Sequence, residues 1–121
     1  MELIRLARLD QALADSIKLF ESVIEQLENR DQEEAYRRLN LLLEIIPIFT
    51  AIFSADLGWI DEEITPTSGG ECTPKLEAVL VDIASHRESG FWVAICDTLE
   101  YELIPILQNW RKLVATTISA R

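Results

Sequence analysis

The chain has one histidine, His86, and it is the natural starting point for any chemistry. Asp82 precedes it by four residues in a stretch that reads as helix, so the two side chains share a face. Asp97 or Glu100 from the following helix offers a third oxygen ligand, which makes Asp82 and His86 the candidate metal ligands. Di-metal helical bundles use Glu together with Glu-x-x-His from several helices. No Glu-x-x-His occurs here. The plainer reading is a partly exposed histidine near a helix end, and no cofactor is expected.

Nucleophilic catalysis needs an activated Ser, Cys or Thr beside a base. Cys96 follows His86 by ten residues but sits in an apolar helical stripe, where free cysteine behaves as a small core residue. Cys72 falls in a loop, and the sequence leaves a Cys72–Cys96 bridge open; two cysteines are too few for a disulfide scaffold. There is no Gly-x-Ser-x-Gly elbow, and Gly69-Gly70 lacks the lysine and helix start of a phosphate cradle. Glu33-Glu34, Glu62-Glu63 and Glu100 with Glu102 are paired carboxylates. Acid–base work needs two environments that split their pKa values, whereas these pairs lie in polar loop or on different helix faces. The expectation is a protein that is not an enzyme.

The elements that position these residues are helices. Leu3, Leu6, Leu13, Ile17, Phe20, Ile24 and Leu27 form a three–four seam that predicts a helix over 2–28. Asp10 is the polar place in that seam. A carboxylate there is costly unless paired or at a wet bundle end, and Arg111, Lys112, Arg5 and Arg8 are the candidate partners. Asp31 and Glu34 have capping-box spacing ahead of a second helix, 32–55, with the seam Ala35, Leu39, Leu42, Ile46, Phe49 and Phe53. That phase runs through Pro47, which predicts a kink and not an end. Residues 56–73 read as irregular. Thr73-Pro74 suggests an N-cap and first position for a helix over 74–88. The last helix, 91–119, carries Trp92, Cys96, Leu99, Leu103, Ile106, Trp110 and Leu113, again with a proline, Pro105, inside an unbroken phase. The fold class expected is therefore all-α: one domain, 1–121, forming an antiparallel four-helix bundle with two proline-kinked helices.

The second helix has more apolar surface than one core needs. Leu41, Ile45, Ile48 and Ile52 lie off its seam, and a helix apolar on more than one face is covered by other helices or by a second subunit. These four, with Trp59 beside the irregular segment, are the expected interface of a homo-oligomer. Composition narrows the partners. The 121 residues include 11 Lys+Arg and 21 Asp+Glu, a net charge of −10, and 49% are hydrophobic. An acidic surface repels nucleic-acid phosphates and anionic membranes, and the hydrophobic content excludes a disordered acidic tail. The first residues do not read as a signal peptide. The most apolar continuous run, Ile45 to Ala55, is too short to span a bilayer, so a cytoplasmic location is expected. The function expected is a non-enzymatic protein-interaction module, an adaptor, chaperone or regulatory bundle, working through a hydrophobic groove with an acidic rim and self-associating through the second helix. A basic partner surface would dock at 56–73 and the first half of the last helix. In size and charge the chain is similar to small export chaperones such as those of flagellar export, an analogy of fold carried by no motif. The metal-binding reading through His86 is the alternative. A third is a small-molecule pocket beside the proline positions.

Overall fold

A computed structural model describes residues 2–29, 31–57 and 72–119. Those residues are helical almost throughout, and no strand occurs among them. Helix α1 spans Glu2–Glu28, α2 Gln32–Leu43, α3 Ile45–Leu57, α4 Cys72–Ser89, α5 Trp92–Thr98 and α6 Ile104–Ser119, with a π-helical turn over Leu99–Leu103 between the last two. The first helix has the bounds that its seam predicts.

Two expected N-terminal signals are used differently. Asp31 stands at the N-cap of α2 but its side chain makes no capping bond. Its carboxylate accepts from Gln26 Nε2 at 3.4 Å, and Glu34 is held by the Arg37 guanidinium one turn on. Each carboxylate already has a cationic or amide donor, so the capping box does not form. Helix α4 begins at Cys72, which puts Thr73 and Pro74 inside its first turn; proline is tolerated there because those N–H groups lack intrahelical acceptors. At its far end α4 closes in a Schellman motif. Phe91 N–H donates to His86 C=O at 3.0 Å and Gly90 N–H to Arg87 C=O at 3.2 Å, with Gly90 at φ 73°.

The two internal prolines have different local consequences. Ahead of Pro47 the helix is interrupted at Glu44, which separates α2 from α3. Ahead of Pro105 the backbone widens into the π turn, closed by Ile104 N–H donating to Leu99 C=O, five residues back. Proline has no N–H to give, and its ring crowds the carbonyl four residues earlier, so a wider turn relieves both problems. A π turn adds a residue to the helical phase. Beyond it the expected seam residues Ile106 and Trp110 are buried, Leu107 and Val114 join them, and Leu113, also expected in the seam, is only half-buried. The buried face thus runs through Pro105 and widens there.

The core is a single apolar cluster. All six seam residues of α2 and α3, Ala35, Leu39, Leu42, Ile46, Phe49 and Phe53, are buried. From α1 come Leu6, Leu9, Leu13, Ile17, Phe20, Val23 and Leu27. Trp110 of α6 is fully buried against two rings of α3, Phe53 edge-on at 5.2 Å and Phe49 tilted at 6.1 Å. Helix α1 lies close against both α2 and α6, and α4 packs on α5. Chain direction follows from cross-helix contacts. Gln26 reaches Asp31 at the start of α2 and Ser22, a turn earlier in α1, accepts from Arg38 further along α2 at 3.1 Å, so α2 runs back along α1. Arg111 reaches Asp10, and the Cys96 thiol reaches Ile24 C=O at 3.9 Å, so the last helix also runs back along α1.

Candidate functional site

Large apolar residues stand exposed at several places among the described residues, Ile4, Leu19, Leu41 and Ile48 in the first half of the chain and Val81, Phe91, Val93 and Tyr101 in the second, and one of them, Ile48, lines a groove. Unlike α2, α3 does not approach α1 closely. The chain comes off the interruption at Glu44 and leaves a groove of about 520 Å³ between the first half of α1 and α3. Leu6, Leu9 and Phe49 are buried along it, Ile45 and Ile52 are half-buried, and Ile48 stands 57% exposed at its edge. Arg5, Arg8, Ala12 and Ser16 of α1 complete the lining. The Ser16 hydroxyl donates to Ala12 C=O at 2.7 Å, so its proton is already committed within α1.

Three of the five expected interface residues therefore come together here: Ile45, Ile48 and Ile52. Leu41 is 55% exposed on the same helical stripe, beyond the groove. Trp59 lies outside the described residues. The α1 wall is what the sequence reading missed. Its signal was present, since Arg5, Leu9, Ala12 and Ser16 recur at four–three–four spacing beside the main seam. The groove's charge also differs from the acidic rim expected: the charged side chains lining it are Arg5 and Arg8. Among the described residues, Asp97 and Glu100 are exposed near the start of the last helix.

Asp10 has its partner in Arg111. The guanidinium holds the carboxylate with two parallel bonds, Nε to Oδ1 at 2.9 Å and Nη2 to Oδ2 at 3.1 Å. That hydrogen bonding pushes the Arg111 pKa up from an already high value. Cys96 is a free, buried cysteine, so the bridge to Cys72 that the sequence left open does not form. Burial pushes its thiol up to about 11, helped by the negative charges of Glu28, Asp97 and Glu100. Such a thiol is protonated at neutral pH and is no nucleophile.

Asp82 is exposed and His86 half-buried in the last turn of α4. Among the described residues no three His, Cys, Asp or Glu side chains converge as a metal site would require. Beside His86, Arg87 bonds Asn40 and stacks its guanidinium 5.7 Å from the Tyr36 ring centre, which ties α4 to α2. Taken together across Glu44, the stretch Gln32–Ala55 is long and apolar enough, by length and composition only, to cross a membrane, a longer segment than the Ile45–Ala55 run. Only 28% of its most apolar window is buried; off the seam, Leu41 and Ile48 are exposed, while Leu43, Ile45 and Ile52 pack partly buried against the core.

Fold and groove together define an acidic, all-helical domain with an apolar, arginine-flanked cleft on one face. The chain belongs to the DUF8042 family, a domain of unknown function, which matches residues 6–113. No match is found among curated proteins or among solved structures.

Proposed function

We propose that this chain is an antiparallel four-helix bundle, bent at its two proline positions, that serves in the cytoplasm as a non-enzymatic protein-interaction module and self-associates through the α2–α3 face. One observation carries the reading: the groove of about 520 Å³ whose apolar wall is Ile45, Ile48 and Ile52, continued along the helix by exposed Leu41. Large exposed apolar patches mark interaction sites, and this one has the i, i+4, i+7, i+11 spacing of a helix that packs on another helix. The antiparallel directions of α2 and the last helix along α1, and the interruptions ahead of Pro47 and Pro105, support the bent-bundle reading. Asp97 and Glu100 are where a basic partner would dock.

Sedimentation velocity over a concentration series tests it. Wild-type protein should associate at micromolar concentration, and Ile48→Asp or Ile52→Asp should leave a helical monomer. Monomeric wild type, or variants that assemble as wild type does, would remove the basis for this reading.

A further inference from the structure

We infer that the occupant of the groove is a second copy of this chain, related by a two-fold axis at Ile48 and locked by Glu44 of one copy against Arg8 of the other. The inference rests on the self-association reading above and adds to it a register and a charge pairing.

Ile48 lines the groove and is 57% exposed; Leu41, at 55%, continues its stripe two turns earlier, and Ile4, at 58%, precedes Arg5 at the start of α1. Two copies with a net charge of −10 each repel, so a stable contact between them needs opposite charges at the contact itself. The groove supplies one sign in Arg5 and Arg8. The helix beside it supplies the other. Glu44 is exposed and lies one turn before Ile48, among Leu41, Ile45 and Ile52.

The levels of these residues fix the register. Helix α2 runs back along α1, as Asp31 against Gln26 and Arg38 against Ser22 show, and α3 follows it through Glu44, whose backbone is right-handed helical. Within the groove the late residues of α3 therefore stand beside the early residues of α1. Ile52 is at the Arg5–Arg8 level and Ile45 at the Ala12–Ser16 level. A two-fold axis at Ile48 sets the α3 helices of the two copies antiparallel. Ile48 then faces its own copy, and the partner's Glu44 falls opposite Ile52, at the level of Arg8. One turn further, the partner's Leu41 falls opposite Ala55, beside the Ile4 end of α1. A single placement thus covers Ile4, Leu41 and Ile48 and forms the ion pair twice. The contact is isologous and closes on itself.

Analytical ultracentrifugation of four proteins tests the register, with far-ultraviolet circular dichroism to show that each is folded. The proteins are wild type, Ile48→Asp, Glu44→Arg, and Glu44→Arg combined with Arg8→Glu. Glu44 and Arg8 are exposed, so neither change disturbs the core. Wild type should be a dimer. Glu44→Arg sets like charges against each other twice and should weaken the dimer on the order of a hundredfold; the charge-swapped double variant should recover most of that loss. A dimer weakened by Ile48→Asp but indifferent to Glu44→Arg, or a double variant no tighter than Glu44→Arg alone, overturns the register and leaves the self-association reading standing. A wild type that is monomeric at high micromolar concentration overturns both. An open-ended polymer overturns the two-fold closure.

Discussion

Asp10 sits in the middle of the α1 seam, and the Arg111 fork explains why it is tolerated there. The perturbation is a double-mutant cycle of Asp10→Ala, Arg111→Ala and the pair. The side chains are 31% and 43% exposed respectively, so water reaches both and the interior dielectric does not apply. Opposite unit charges about 4 Å apart attract by about 1 kcal/mol in water and about 4 kcal/mol near a protein surface. Fixing an arginine side chain costs up to about 2 kcal/mol of rotamer entropy. The difference, with the bidentate geometry in its favour, leaves a coupling of about 0.5–1 kcal/mol. For a chain of this length that is roughly 2–4 °C in Tm. Urea denaturation at one fixed protein concentration measures it, because the stability of a dimer depends on concentration. Repeating the cycle in 1 M salt, where the screening length is about 3 Å, should reduce the coupling by half or more. A coupling under about 0.2 kcal/mol would show that the carboxylate is merely solvated at a wet edge. A coupling unchanged by salt would refute the electrostatic account.

Two further predictions concern the other half of the chain. The Cys96 thiol should react with Ellman's reagent far more slowly in native protein than in urea. An unfolded thiol deprotonates near about 8.5, whereas folded Cys96 keeps its proton up to about 11. Its contribution to stability is therefore complete below about pH 8.5 and is lost as pH rises towards 11; Cys96→Ala should flatten that part of the pH–stability curve, and an unaltered slope counts against it. Gly90→Ala meets no atom within 4 Å of the added Cβ, so its cost is left-handed backbone strain alone, about 1 kcal/mol. Gly90→Asn should cost less in the same denaturation assay, and an alanine variant as stable as wild type would contradict the Schellman closure.

Most of the helical framework was legible because helical periodicity is written locally. The seam Ala35–Leu39–Leu42–Ile46–Phe49–Phe53 needs only the 3.6-residue repeat to be seen, and every member is buried. The departures occur where something non-local or stereochemical intervenes. Beyond Pro105, Ile106 and Trp110 are buried as the count has it, but Leu107 and Val114 are buried too and Leu113 only half, because a π turn adds a residue that a three–four count does not see. The capping box at Asp31 failed because Gln26 and Arg37 compete for the two carboxylates it would use. The α1 wall of the groove was missed because a second stripe beside a strong seam looks like solvated surface until a neighbouring helix stands across from it.

The sequence by itself determined the all-helical class, the buried faces, the surplus apolar stripe on the second helix and the need of Asp10 for a cation. Each of these depends on residue type and spacing along one helix. Only the tertiary structure decided that it is Arg111, from the far end of the chain, that answers Asp10. It alone decided that α3 stands off from α1, so that the apolar stripe becomes one wall of a groove. It also gave that groove a basic flank in a chain whose overall charge is acidic. Those facts depend on the distance and rotation between helices, set by the packing of both partners and by the interruption at Glu44, and no periodicity along a single helix records them.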